Sequence, residues 1–133
     1  MHLLGQALVA GAALLAIFSV VIPSNAATTV LLHDMVLWGL LVNMFSILVG
    51  ELWMPHGTQD AAQAARLILR VGVYSRLFWG LVIGVGHVLP VLLLALLRGA
   101  PIGVTFLAGL CALAKFLVFE HIWLIAGQNV PLT

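Results

Sequence analysis

Lys115, Glu120 and His121 interrupt the run CALAKFLVFEHIW, in which almost every other residue is apolar. An amine, a carboxylate and an imidazole in proximity can hold protons and pass them on. Similar groups interrupt other apolar stretches. Asn43 and Glu51 lie in one, and His87 lies in another, within IGVGHVLP, beside Gly84 and Gly86 and three residues before Pro90. What these side chains can do depends on the solvent around them, and composition decides that.

Of the 133 residues, 64% are hydrophobic and 7% charged, far below the roughly 25% charged residues of a water-soluble domain. The chain reads as an integral membrane protein with the lipid bilayer as its first partner. A net charge of +1 lacks the basic footprint of a nucleic-acid binder. The single cysteine, Cys111, excludes a disulfide framework and a Cys-based zinc or iron–sulfur site within the chain.

A spanning helix needs about 20 mostly apolar residues, and four stretches qualify: 3–22, 29–54, 76–97 and 102–126. The connections PSNAATT, PHGTQD and RGAP are rich in helix breakers and caps. The expected fold class is all-α: one domain over 1–133, four transmembrane helices in an up-down bundle. A short helix over 59–71 joins the second and third spans, with Asp60 and Gln63 as a capping box and Gly72 as its stop. Its apolar positions alternate with Gln63, Arg66 and Arg70 at helical spacing, which suits an amphipathic helix at the membrane interface, with Trp53, Tyr74 and Trp79 as an aromatic belt. SNA resembles a signal-peptide cleavage site, but no Lys or Arg precedes the first apolar run, so that run is expected to be retained. Arg66, Arg70 and Arg76 against Arg98 place both termini on the cytoplasmic side.

At about 1.5 Å per residue, Lys115 lies roughly 21 Å into a hydrocarbon layer of about 30 Å. A charge at the centre of a span costs about 2.5–3.5 kcal/mol, so Lys115 requires a partner, a water-filled cavity, or a route to snorkel. Glu120 is five residues away, about 140° around the helix, so a partner from another helix is expected, with Glu51 the first choice. Glu51, Glu120 and His121 fall on the same leaflet and form a candidate proton relay with Lys115. Asn43 shares a face with Gly39, Ser46 and Gly50, a pattern that serves close helix packing or a ligand. His87 is placed near mid-membrane beside a Pro90 kink. At the other end, Asp34 and Arg98 are expected to pair near His33. Bis-His haem ligation requires two histidines at one depth, and His33, His56 and His121 all miss the depth of His87. Neither haem nor metal is expected.

The stretch GELWMPHGTQDAAQAARLILRVGVYSRLFWGLVIGVGHVLP, together with FEHIWLIAGQNVPL, resembles the C-terminal half of the NrfD-like, polysulfide-reductase-type membrane subunits. The resemblance covers the last two thirds of the chain and is most specific at Glu51–His56, YSRLFWG and AGQ. It implies a haem-free subunit of the inner (cytoplasmic) membrane that pairs with iron–sulfur and molybdopterin-type subunits and exchanges electrons with quinone. Family members have more helices than the four read here, which implies a half-sized chain, a second membrane half as a further partner, or a fragment. A quinone site needs an apolar slot with one or two polar groups for the carbonyls, and His87, Asn43 and Lys115 are the candidates. The rival readings are a passive anchor or assembly subunit whose polar groups only lock helices together and, ranked behind it, a small transporter.

Overall fold

The computed structural model describes residues 2–23, 25–70 and 72–130. Among them there are helices and turns and no strand. Ser24 of the first connection, Val71 at the end of the expected short helix, and Pro131–Thr133 of the ending lie outside the described residues.

Helix α1 spans His2–Val21. Helix α2, Ala26–Leu52, starts three residues earlier than its apolar run suggests, because Asn25 caps it: the Asn25 Oδ1 accepts the Thr28 N–H at 2.8 Å, satisfying a backbone donor that the first helical turn leaves free. Helix α3, Gln59–Arg70, is capped by Thr58, whose Oγ1 accepts the Ala61 N–H at 3.1 Å. The expected capping box at Asp60 and Gln63 is therefore corrected by two residues. Asp60 falls instead in the first turn, where its charge complements the helix dipole. Gly72 has φ +68°, the left-handed stop that glycine tolerates.

The third candidate span, Tyr74–Leu96, comprises α4 (Gly72–Leu77), an eleven-residue π-helical segment (Phe78–Val88) and α5 (Leu89–Leu96). The expected simple kink at Pro90 is replaced by wider turns. Proline offers no N–H and its ring crowds the carbonyl four residues back. The ladder slips by one residue before it, and the Leu89 N–H bonds to the Gly84 carbonyl, five residues back. Such π segments are uncommon and concentrate at functional sites. A turn at Gly99, φ +83°, leads into α6, Ile102–Gln128.

Helix α1 packs against α2 and α6, and Val9, Ala12 and Ala13 form a core with Leu37, Leu40, Ala108 and Ala112. Small residues permit this closeness, as lipid-embedded helix pairs require. A methyl group on Gly39 would lie 2.9 Å from the Val9 side chain, and one on Gly109 would lie 3.1 Å from the Ala13 carbonyl oxygen. A second core joins Ile47, Phe78, Val82, Phe119 and Ile122 to Ala64 and Ile68 of α3. Helix α3 thus turns its small apolar residues inward, leaving Gln59, Gln63, Arg66 and Arg70 exposed. The outer surface carries Phe18, Phe45, Leu117 and Leu124, each more than half exposed. Among the described residues, four helices are long and apolar enough to cross a membrane, and lipid is the solvent in which such a surface is stable.

Candidate functional site

Polar side chains meet at three levels along the helices. At the first level, His33 of α2 is buried. Its Nε2–H donates to the Leu94 carbonyl at 2.9 Å, and its Nδ1 accepts from the Thr105 hydroxyl at 3.4 Å. Leu94 is in the last turn of α5, where carbonyls lack helical partners, so the imidazole satisfies one of them. Asp34 and Arg98 line one cavity here. Among the described residues the one ion pair joins His56 to Glu51, so the expected Asp34–Arg98 pair is absent from that set. The carboxylate is half-buried, while the guanidinium sits in the exposed α5–α6 turn.

The second level is the centre. Lys115 is the fourteenth of the 27 residues of α6 and is 2% exposed, while Asn43 and His87 are both fully buried. The lysine Nζ donates to Asn43 Oδ1 at 2.6 Å and to His87 Nε2 at 2.5 Å. The π segment orients the imidazole: His87 Nδ1–H donates to the Val82 carbonyl at 2.8 Å, which leaves Nε2 as an acceptor. Asn43 Oδ1 is a second acceptor, 3.1 Å from Nε2. Two acceptors facing each other require a donor between them, and the Lys115 amine supplies it. Nζ also lies 4.6 Å from the centre of the Phe116 ring, within the reach of a cation–π contact. The lysine stem packs directly on Gly86, where any Cβ would collide with Lys115 Cβ.

One polar atom at this level is left over. Asn43 Nδ2 is buried and has no hydrogen-bond partner, an arrangement that costs about 1–3 kcal/mol. Gly5 of α1 faces it: a methyl group there would come 3.7 Å from Nδ2. Gly5 also lines a groove of about 240 Å³ between α1 and α2, walled by Leu8, Met35, Trp38, Gly39 and Val42.

The third level corrects the expected partner of Lys115. Glu51 lies eight residues beyond Asn43, about 12 Å along α2. Its carboxylate meets His56 at 3.4 Å, and the His56 ring leans on Trp123 with centroids 6.4 Å apart. Neutral acceptors at the lysine's own level take the place assigned to Glu51. Glu120 and His121 are exposed, and His121 lines an outward-facing groove with Leu77, Leu81 and Leu117. The expected relay of Glu51, Lys115, Glu120 and His121 is therefore divided, with Lys115 inside the bundle and Glu120 and His121 on its outer face.

The structure thus joins Asn43, His87 and Lys115 and separates the acidic groups from them. Sequence reasoning missed Gly5, Thr105 and Phe116, and it noted Gly86 beside His87 without its role in seating Lys115. Gly86 alone carried a signal, as a glycine adjacent to a mid-span histidine. Among the described residues no three His, Cys, Asp or Glu side chains cluster as a metal site would require. The polar set offers a carbonyl-bearing ligand the two free N–H groups of the Asn43 amide.

Comparison with known proteins is consistent with this membrane architecture. Neither curated protein sequences nor solved structures provide a match. The family model described as "Polysulphide reductase, NrfD" matches residues 1–131, and this multi-pass membrane chain belongs to that family.

Proposed function

We propose that the chain is a membrane-integral subunit of a quinone-linked respiratory oxidoreductase, with its four spans in an up-down bundle in the inner membrane and both termini on the cytoplasmic side. Iron–sulfur and molybdopterin-type subunits would be its partners, together with a second membrane half. Family membership supports this reading. The observation that carries the site is the unpartnered Asn43 Nδ2 beside Gly5 and the apolar α1–α2 groove.

A quinone supplies paired electron and proton chemistry when bound. The residues fit its needs in kind: an apolar slot open to lipid, and behind Gly5 a buried donor for a carbonyl oxygen. Lys115 and His87 stand behind the amide. Lys115 fixes the Asn43 carboxamide by holding Oδ1, and so aims Nδ2 toward Gly5. His87 keeps its Nδ1 proton on Val82 and holds the amine with Nε2, so the three groups form a pre-oriented hydrogen-bonded unit. Their burial excludes water from the donor. The passive-anchor reading rests on that same burial, since no ligand ring reaches Lys115 or His87 without helix movement.

Two measurements test the reading. Affinity purification of the chain from native membranes is expected to retain iron–sulfur subunits and quinol-linked electron transfer; retention of neither would refute it. Gly5→Leu should fill the groove and reduce quinone-linked turnover about tenfold or more through a raised KM, with assembly unchanged. Normal turnover in a complex carrying Gly5→Leu would move the site away from Asn43 and favour the passive anchor.

The arrangement of the spans has its own check. Cysteines replacing Asn25, just before α2, and Thr58, in the connection that follows α2, are expected to react with impermeant thiol reagents from opposite faces of the membrane. Labelling of both from one face would remove α2 as a span.

A further inference from the structure

We infer that the cavity between the start of α2 and the α5–α6 turn is a binding site for a lipid headgroup carrying both an ammonium and a phosphate, the phosphoethanolamine class. The cavity has a volume of about 340 Å³, within the range of small-molecule sites, about 300–1,000 Å³. One wall is α2, with Ala26, Thr29, Val30 and His33 on a single face and Asp34 at its edge; the other is the turn Arg98–Gly99–Ala100. This inference is independent of the quinone reading.

Three observations select the ligand. First, Asp34 and Arg98 line the same cavity yet make no ion pair with each other or with another described residue. A half-buried carboxylate in a membrane helix without a cation is costly. An ammonium placed beside Asp34 and a phosphate beside Arg98 would satisfy both, and guanidinium–phosphate contact is bidentate and charge-assisted. Second, His33 is committed: both ring nitrogens are bonded, to Leu94 and Thr105. It closes the floor of the cavity as a fixed wall, so the charged recognition falls to Asp34 and Arg98. Third, the depth is right. Helix α2 has 27 residues, about 40 Å, against a hydrocarbon thickness of about 30 Å. Asp34, eight residues from its start, therefore lies about 7 Å inside the boundary when the helix is centred. Arg98 is in the connecting turn nearer the surface. A phospholipid entering from the side places its phosphate at the turn, folds its ammonium inward, and leaves its acyl chains along Val30.

The distinction between headgroups follows from hydrogen bonding. An ethanolamine ammonium donates N–H groups to a carboxylate, a choline has none to donate, and a glycerol headgroup carries no positive charge. The test uses the full chain, with whatever subunits accompany it, delipidated in detergent and incubated with phosphatidylethanolamine, phosphatidylcholine or phosphatidylglycerol of matched acyl chains. Retained lipid is counted by native mass spectrometry. Phosphatidylethanolamine is expected to be retained about tenfold better than either of the others. Asp34→Asn should abolish that preference and leave phosphatidylglycerol retention unchanged, while Arg98→Gln should lower retention of all three. Equal retention of the three lipids by the parent, or an undiminished preference in Asp34→Asn, would overturn the site. Tighter binding of water-soluble phosphoethanolamine than of the lipid would overturn its assignment to the bilayer. Asn at position 34 is nearly isosteric with Asp and sits at a half-exposed position, and circular dichroism of each variant confirms that the helices persist.

Discussion

His87→Leu is expected to be far more damaging than Lys115→Met, although the lysine carries the charge. Removing the imidazole strips the buried amine of one of its two acceptors and leaves it facing hydrocarbon. Stranding one member of a buried polar or ionic set costs about 3–5 kcal/mol, and here no carboxylate lies nearby to take over, since Glu51 is occupied by His56. Removing the lysine has an internal remedy. Asn43 and His87 already lie 3.1 Å apart. If the Asn43 carboxamide turns over, its N–H donates to His87 Nε2, His87 keeps its bond to Val82, and the amide's unpartnered nitrogen acquires a partner. Methionine fills the volume left by the lysine stem. Lys115→Met should therefore insert and assemble at close to parental levels, and the double variant His87→Leu/Lys115→Met should recover most of what His87→Leu loses. Steady-state levels in the membrane and thermal unfolding in detergent measure all three. Greater loss in Lys115→Met than in His87→Leu would contradict the donor and acceptor assignment. Assembled Lys115→Met with reduced quinone-linked turnover would show that the orientation of the Asn43 amide matters for function, because the remedy turns its N–H away from Gly5.

The same reasoning explains what the sequence could disclose. Long apolar runs are a property of the chain alone, so the four spans were legible to within a few residues. Their ends were misplaced where a cap decided them: Asn25 extends α2 and Thr58 begins α3, because a short polar side chain competes with the hydropathy pattern. Position along the helices was legible too: Lys115 is the fourteenth of the 27 residues of α6, and it is buried at the same level as His87. Azimuth and partner choice were not. Which face of α6 meets which face of α2 depends on the packing of Gly39 on Val9 and Gly109 on Ala13, and no periodicity within one helix encodes that. Charge was also too strong a guide. Glu51 was favoured because it is anionic, whereas an amine within a span can be held by a carboxamide and an imidazole at its own level. The π segment escaped notice although Pro90, before which the ladder slips by one residue, was in view. A proline in a hydrophobic run predicts a disturbance, but not whether the helix bends or widens.

Gly86→Ala is the second variant with a large expected effect, and its size follows from where the added atom must go. A Cβ on Gly86 would occupy the space of Lys115 Cβ, with Cγ and Cδ of the same side chain at 3.0 Å. The obstacle is the root of the lysine, fixed to the backbone of α6, so no rotation of its far end relieves the clash. The π segment and α6 have to separate, or Lys115 has to leave its seat between Asn43 and His87. Overpacking a tight core typically costs about 1–3 kcal/mol, and loss of the lysine bonds would add to it. Gly80→Ala is the matched control in the same segment: a methyl group there meets nothing within 4 Å, and alanine has the better helix propensity by about 1 kcal/mol. Gly80→Ala should be neutral or stabilising, whereas Gly86→Ala should lower both thermal stability and assembly. The two glycines also separate backbone conformation from packing. If the π segment needed glycine for its dihedral angles, both substitutions would be damaging; if Gly86 is there to admit the lysine, removing the Lys115 side chain, Cβ included, should rescue it. Gly86→Ala/Lys115→Gly is accordingly expected to assemble better than Gly86→Ala, since removal of the whole Lys115 side chain relieves all three contacts. Failure of that rescue, with Gly80→Ala equally damaging, would place the requirement in the backbone of the π segment rather than in the seat of Lys115.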